Sequence, residues 1–122
     1  MKKMLVVDDE MEICEFLKSF FEERDFDVST AYSGEEAVRT AQEVCPDVVL
    51  LDIHLPGMDG LSVLEQIKKI SARSKVIMVT AIETNDKIDQ AMRLGADNYI
   101  TKPLSLEYLE RDVQEKVAEL SR

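Results

Sequence analysis

The chain has 122 residues, of which 45% are hydrophobic and 33% charged. That is enough for one domain, 1–122, with a real core. Fifteen basic against 25 acidic residues give a formal charge of −10, which speaks against direct nucleic-acid binding, because neutralising phosphates needs clustered Lys and Arg. No apolar run approaches the roughly 20 residues that span a bilayer, and Lys2-Lys3 leads into only a short apolar run, too short for a secretory leader. Two cysteines, Cys14 and Cys45, are too few for a disulfide framework and lack metal-ligand spacing. They are expected to be small core or boundary residues of a cytoplasmic protein with no membrane contact.

Lys3 to Val7 is short and apolar and reads as a first strand, ending at Asp8-Asp9-Glu10. From Met11 the period changes. Ile13, Phe16, Leu17, Phe20 and Phe21 form a helical stripe, with Asp9 and Glu12 placed to cap it. Asp27 to Ala31 is a weaker strand. Ser33-Gly34-Glu35-Glu36 is a capping box, and Ala37, Val38, Ala41 and Val44 continue a helix that Pro46 closes. Val48-Val49-Leu50-Leu51-Asp52 follows. Four apolar residues in a row read as a strand buried on both faces, and Asp52 sits where that strand leaves the core.

Leu55 to Gly60 is a turn by composition, with Asp59 the expected N-cap of a third helix carrying Leu61, Leu64, Ile67 and Ile70. Met58 is expected to pack. Lys75 to Thr80 is a fourth strand and Ile82 to Asn85 a loop. Ile88, Ala91 and Met92 mark a short helix, for which Gly95 suits the C′ position. Asn98 to Thr101 is a fifth strand, broken by Lys102-Pro103. Leu106, Leu109, Val113, Val117 and Leu120 form the stripe of a last helix. Five strands alternating with five helices predict an α/β fold, a flavodoxin-like doubly wound five-stranded parallel sheet of order 2-1-3-4-5.

In such sheets ligands bind at the carboxyl ends of the strands. Strand one supplies Asp8 and Asp9 there, strand three Asp52, strand four Thr80, and Lys102 follows strand five. Strands one, three and four lie side by side in the predicted order, so these residues converge. Three carboxylates held together repel, at about 4 kcal/mol per pair for charges about 4 Å apart at an effective dielectric near 20. Mg²⁺ relieves such a cluster, since it takes oxygen ligands and typically uses one or two carboxylates plus a substrate phosphate. Lys102 neutralises more of the charge, and Thr80 offers a hydroxyl donor. A carboxylate nucleophile, a cation, an ammonium and a hydroxyl make a phosphoryl-transfer site in which Asp52 becomes an aspartyl phosphate. Blander readings stand beside this. Asp9 taken alone is an N-cap worth about 1 kcal/mol, Thr80 is a good strand residue, Lys102 a loop lysine, and Tyr99 ordinary packing. His54, the only histidine, is not expected to ligate Mg²⁺ through its ring, because Mg²⁺ prefers oxygen.

Five segments in order, Val6-Val7-Asp8-Asp9-Glu10, Leu50 to Gly60, Val79-Thr80-Ala81, Gly95 to Tyr99 and Thr101-Lys102-Pro103, carry a resemblance over essentially the whole chain. It resembles the receiver domain of two-component response regulators. The resemblance implies that Asp52 accepts a phosphoryl group from the phosphohistidine of a sensor histidine kinase. Asp9 and Asp52 would ligate Mg²⁺ directly, Asp8 mostly through water, and the His54 backbone carbonyl would complete the protein ligands. Lys102 would pair with one phosphoryl oxygen, Thr80 would move to bond another, and Tyr99 would turn inward behind it. The Lys102-Pro103 bond would be cis. His54 and Ile82 would flank the phosphoryl group, and an apolar Ile82, unable to orient water, implies a long-lived phosphoryl group. The output face would be the fourth helix, fifth strand and fifth helix, where an effector domain, a partner protein or a second copy binds, the last giving a homodimer on phosphorylation. The protein would be no enzyme beyond its own phosphorylation and dephosphorylation.

Three other functions compete. The chain would serve as a stand-alone phosphorelay intermediate rather than part of a larger, for example transcriptional, regulator. It would be an aspartyl-nucleophile phosphatase, although His54 stands where the haloacid dehalogenase family has a second Asp. Or it would be a receiver-like scaffold that is never phosphorylated, which the complete acidic set disfavours.

Overall fold

The structure, a computed structural model, describes residues 1–81 and 85–121. Ile82, expected to flank the phosphoryl group, lies outside the described residues, as does most of the loop expected over 82–85. The strands are β1 (Lys2–Val7), β2 (Phe26–Ala31), β3 (Val48–Asp52), β4 (Lys75–Thr80) and β5 (Asn98–Thr101). They pair in parallel in the order β2-β1-β3-β4-β5, as the sequence predicts. Between them run α1 (Met11–Glu22), α2 (Gly34–Val44), α3 (Gly60–Ile70) and α4 (Asn85–Arg93). The last helix, α5, is Leu106–Tyr108, a π-helical turn over Leu109–Val113, and Gln114–Leu120.

The continuous apolar runs are explained by two cores, one on each face. Leu5, Val7, Val49, Leu51, Val76 and Met78 point to the side covered by α2, α3 and α4. Their neighbours Met4, Val6, Val48, Leu50, Ile77 and Val79 point to the side covered by α1 and α5. Val48 to Leu51 are each at most 1% exposed, and burying such a side chain contributes about 1.5–3 kcal/mol. Asp52 is therefore the first residue of β3 able to meet a ligand.

The punctuation follows the sequence with small shifts. Ser33 Oγ accepts from Glu36 N–H at 3.2 Å, but Glu36 Oε1 accepts from Tyr32 N–H at 3.0 Å rather than from Ser33, so the box closes one residue early. Asp59 caps α3 through Leu61 N–H at 2.8 Å. Gly95, with φ of 106°, turns the chain after α4, and Ala96 N–H donates to Ala91 O at 3.0 Å. Met58 packs against the core. Cys14 is buried, while Cys45 is an exposed, left-handed C-cap of α2.

Three expectations need correcting. Neither Asp9 nor Glu12 caps α1: its N-cap is Glu10, without a side-chain cap bond, and the bond at this turn comes from Asp8 Oδ1, which accepts from Glu10 N–H at 2.9 Å. Phe16 is 40% exposed although it falls on the α1 stripe. It lies at the edge of that stripe, beside the loop after β5. Leu106 is 52% exposed. Leu109, Val113 and Val117, spaced by four, take the buried face of α5, and Leu106 stands at its first residue, ahead of the wide turn.

Candidate functional site

The carboxyl ends of β1, β3, β4 and β5 meet in one cleft. Asp8 follows the last residue of β1 and is 2% exposed. Its N–H donates to Ala31 O at 3.1 Å, which fixes the chain as it leaves the sheet. Asp9 follows and is exposed. Asp52 ends β3 and is 4% exposed. Its Oδ1 accepts from His54 N–H at 3.0 Å and its Oδ2 from Lys102 Nζ at 3.0 Å.

The β3 exit is fixed by contact with α3. Gly60 N–H donates to Ile53 O at 3.0 Å. A Cβ on Gly60 would sit 2.5 Å from both Asp52 O and Ile53 O, so only glycine lets α3 start this close behind the aspartate. On the other side, Thr80 ends β4 and is 1% exposed. Lys102 N–H donates to Thr80 O at 2.8 Å, tying the exits of β4 and β5 together. The Lys102-Pro103 bond is cis, as the family resemblance implies.

Lys102 Nζ lies 2.9 Å from Asp8 and 3.0 Å from Asp52. Burial works against its ammonium. The hydrogen bonds to Asp8 and Asp52 outweigh that and raise its pKa above the usual lysine value. The lysine is therefore a fixed positive charge at any physiological pH.

One carboxylate oxygen from each of Asp8, Asp9 and Asp52 lies within 4.8 Å of the other two. One ammonium cannot neutralise three carboxylates. The set is all oxygen and one member is open to solvent, which suits a hard divalent cation that keeps part of its water. The donor chemistry thus fits Mg²⁺. His54 has an exposed side chain at the rim, and its backbone N–H serves Asp52.

Tyr99 is not in the cleft. It sits on β5, half-buried against the core on the α2–α3–α4 side. Lys116 Nζ lies 5.8 Å from its ring centroid and donates to its carbonyl at 3.1 Å. Two nearby residues escaped the sequence reading. Tyr108 Oη accepts from Thr101 N–H at 3.2 Å, linking α5 to the end of β5. Lys87 of α4 lines the open side of the cleft with Asp9, His54 and Asp59. No spacing signal marks either one, since each arrives from a helix whose apolar stripe says nothing about its polar flank.

Residues 4–114 match the family model of the response regulator receiver domain. The chain is 42% identical over 105 residues to the alkaline phosphatase synthesis transcriptional regulatory protein PhoP of Bacillus subtilis (strain 168). That match takes in 85% of this chain and 43% of PhoP, so the chain spans less than half of that relative's length. It is similar to the response regulator protein TrrA from Thermotoga maritima in complex with Mg(2+)-BeF, with a TM-score of 0.85 and 38% identity, covering 98% of this chain and 99% of that one. A CheY-like receiver domain protein from Methanospirillum hungatei JF-1 gives a TM-score of 0.89 at 31% identity, covering 98% and 96%. Among the described residues, no helix is long and apolar enough to cross a membrane.

Proposed function

The chain belongs to the response regulator receiver domain family, and from that premise we propose that Asp52 is the phosphoacceptor of a phosphorylation-driven switch. One observation carries the reading: the Asp52 carboxylate stands 3.0 Å from the Lys102 ammonium, inside a cluster of three carboxylates within 4.8 Å. A carboxylate oxygen of Asp52 attacks the phosphorus of a histidine kinase phosphohistidine. The O–P bond forms as the P–N bond breaks, and the imidazole leaves with the electron pair. Lys102 offsets the charge on the transferred oxygens. Asp8, Asp9, Asp52 and the His54 carbonyl would hold Mg²⁺, which would offset charge developing on the phosphoryl oxygens.

Phosphorylation then acts on the neighbouring strand ends. The Thr80 hydroxyl bonds a phosphoryl oxygen, and Tyr99 moves behind it. The Lys102 N–H to Thr80 O bond and the Thr101 N–H to Tyr108 Oη bond couple this change to β5 and α5. Each 1.4 kcal/mol of preference for the second state shifts the population about tenfold. The output face is α4, β5 and α5, where Met92 (44% exposed) and Leu106 (52%) offer apolar contacts to an effector domain, a partner protein or a second copy. The length of the PhoP relative, named a transcriptional regulatory protein, favours an attached effector over a stand-alone relay.

The test is intact-mass measurement after incubation with Mg²⁺ and acetyl phosphate, with Asp52→Asn alongside. One added phosphoryl group, lost in the mutant and without Mg²⁺, is the expected result. No adduct together with no released phosphate would favour a scaffold that is never phosphorylated.

A further inference from the structure

The acidic cleft is short of positive charge once it is phosphorylated, and we propose that Lys87 supplies it. The inference rests on the phosphoacceptor reading. Asp8, Asp9 and Asp52 carry three negative charges, which Lys102 and one divalent cation balance. Phosphorylation replaces the single charge of Asp52 by a group of about −1.5 to −2, leaving about half a unit to one unit of excess negative charge. An incoming anionic donor meets the same deficit.

Lys87 is placed to meet it. It lies in the first turn of α4 and lines the open side of the cleft with Asp9, His54 and Asp59. Its neighbours Asp86 and Asp89 are exposed, whereas Lys87 is half-buried, so its side chain is the one of the three turned toward the protein. Among the described residues it forms no ion pair within 4.0 Å, so its charge is not already committed to a carboxylate. Lys87 thus acts on the donor and the phosphoryl group through space, from the open side of the cleft lined by Asp9 and His54. As part of α4 it also gives that helix a direct response to the charge on Asp52, separate from Thr80 and Tyr99.

The role makes two expectations of opposite sign. Removing the charge weakens the attraction for an anion and strengthens it for a cation. In Lys87→Gln, the acetyl phosphate concentration for half-maximal phosphorylation should rise about threefold to tenfold at low salt, with the saturated rate less affected, and the difference should shrink as salt is added. Mg²⁺ affinity, measured calorimetrically without any donor, should tighten about twofold to threefold in the same variant. Lys87→Arg should keep wild-type values in both.

In the phosphorylation reaction the O–P bond to Asp52 forms as the P–O bond of acetyl phosphate breaks and acetate leaves. Wild-type protein that takes no phosphoryl group would overturn the underlying reading. Wild-type protein that is phosphorylated, with Lys87→Gln matching its half-saturation at low salt or binding Mg²⁺ more weakly, would overturn the role of Lys87 alone. Damage to the fold would weaken both ligands together, which separates it from the expected crossing of signs.

Discussion

At the amino ends of β3 and β5, Asp47 and Asp97 each have a backbone N–H and a cation of their own. At the carboxyl ends, Asp8 and Asp52 share one lysine, and Asp9 forms no ion pair within 4.0 Å among the described residues. Asp97 Oδ2 accepts from Lys68 Nζ at 2.9 Å and from Val76 N–H at 2.8 Å. Lys68 also donates to Ser74 O at 2.8 Å, so α3 is riveted to the sheet. Asp47 accepts from Lys3 N–H at 2.8 Å, with Arg73 at 3.5 Å. Each of these carboxylates is therefore held by a backbone N–H and a cation that it shares with no other acid. The opposite cluster is packed within 4.8 Å and under-compensated, so it gains when a cation arrives. Satisfied aspartates hold the sheet together, and crowded ones hold a site.

The largest effect should come from the crowded end. Asp52→Asn should abolish phosphoryl incorporation while leaving the fold intact, because the amide keeps an acceptor for His54 N–H; intact mass and circular dichroism read the two together. At the satisfied end the pattern should invert. Asp97→Ala leaves Val76 N–H and Lys68 without their partner and should cost about 2 kcal/mol in a denaturant titration, with phosphorylation per folded molecule unchanged. If Asp97→Ala silenced phosphorylation in fully folded protein, the contrast between the ends would break.

Asp9→Asn sharpens the contrast further. It should weaken Mg²⁺ binding by roughly tenfold, yet raise the thermal midpoint without Mg²⁺ by about 1–3 °C, since one repulsive charge is gone. A midpoint that fell would mean Asp9 stabilises the fold.

A smaller effect is expected in alkali. Burial and the nearby Asp8 push the Cys14 thiol from 9.0 up to about 12. The unfolded chain releases this proton near pH 9 and the native one does not, so stability should decline from about pH 9 toward 12. Lys102, raised above 10.5, adds its stabilisation fully below that value and loses it as pH climbs through the native pKa. Denaturant titrations at pH 8, 9.5 and 10.5 should show this fall, with a shallower slope in Cys14→Ala between the first two. A thiol reagent at pH 8 should label exposed Cys45 and spare Cys14.

Much of this was legible because apolar patterning and strand ends are local signals. Val48 to Leu51, uninterrupted by a polar residue, could only be a strand covered on both faces, and that placed Asp52 at an exit. Asp59 and Gly95 announced their helix ends through side-chain and backbone chemistry within a few residues. The Asp9 cap failed because Asp8, one position earlier, took the turn's N–H and left Asp9 free for solvent. Leu106 failed because it is the first residue of α5, where the apolar stripe does not yet decide burial. Lys87 and Tyr108 were invisible because their roles depend on the distance between elements far apart in the chain.

The most direct test of the central claim is a map of backbone amide shifts before and after phosphorylation with acetyl phosphate and Mg²⁺, with Asp52→Asn as control. The expected result is large shifts at Asp9, Asp52, Thr80, Tyr99, Lys102 and the first turns of α4 and α5, none of them in the mutant, and silence around Asp47 and Asp97. Shifts confined to the immediate neighbours of Asp52, with Thr80, Tyr99 and α4 unmoved, would contradict a switch built on the crowded end of this sheet.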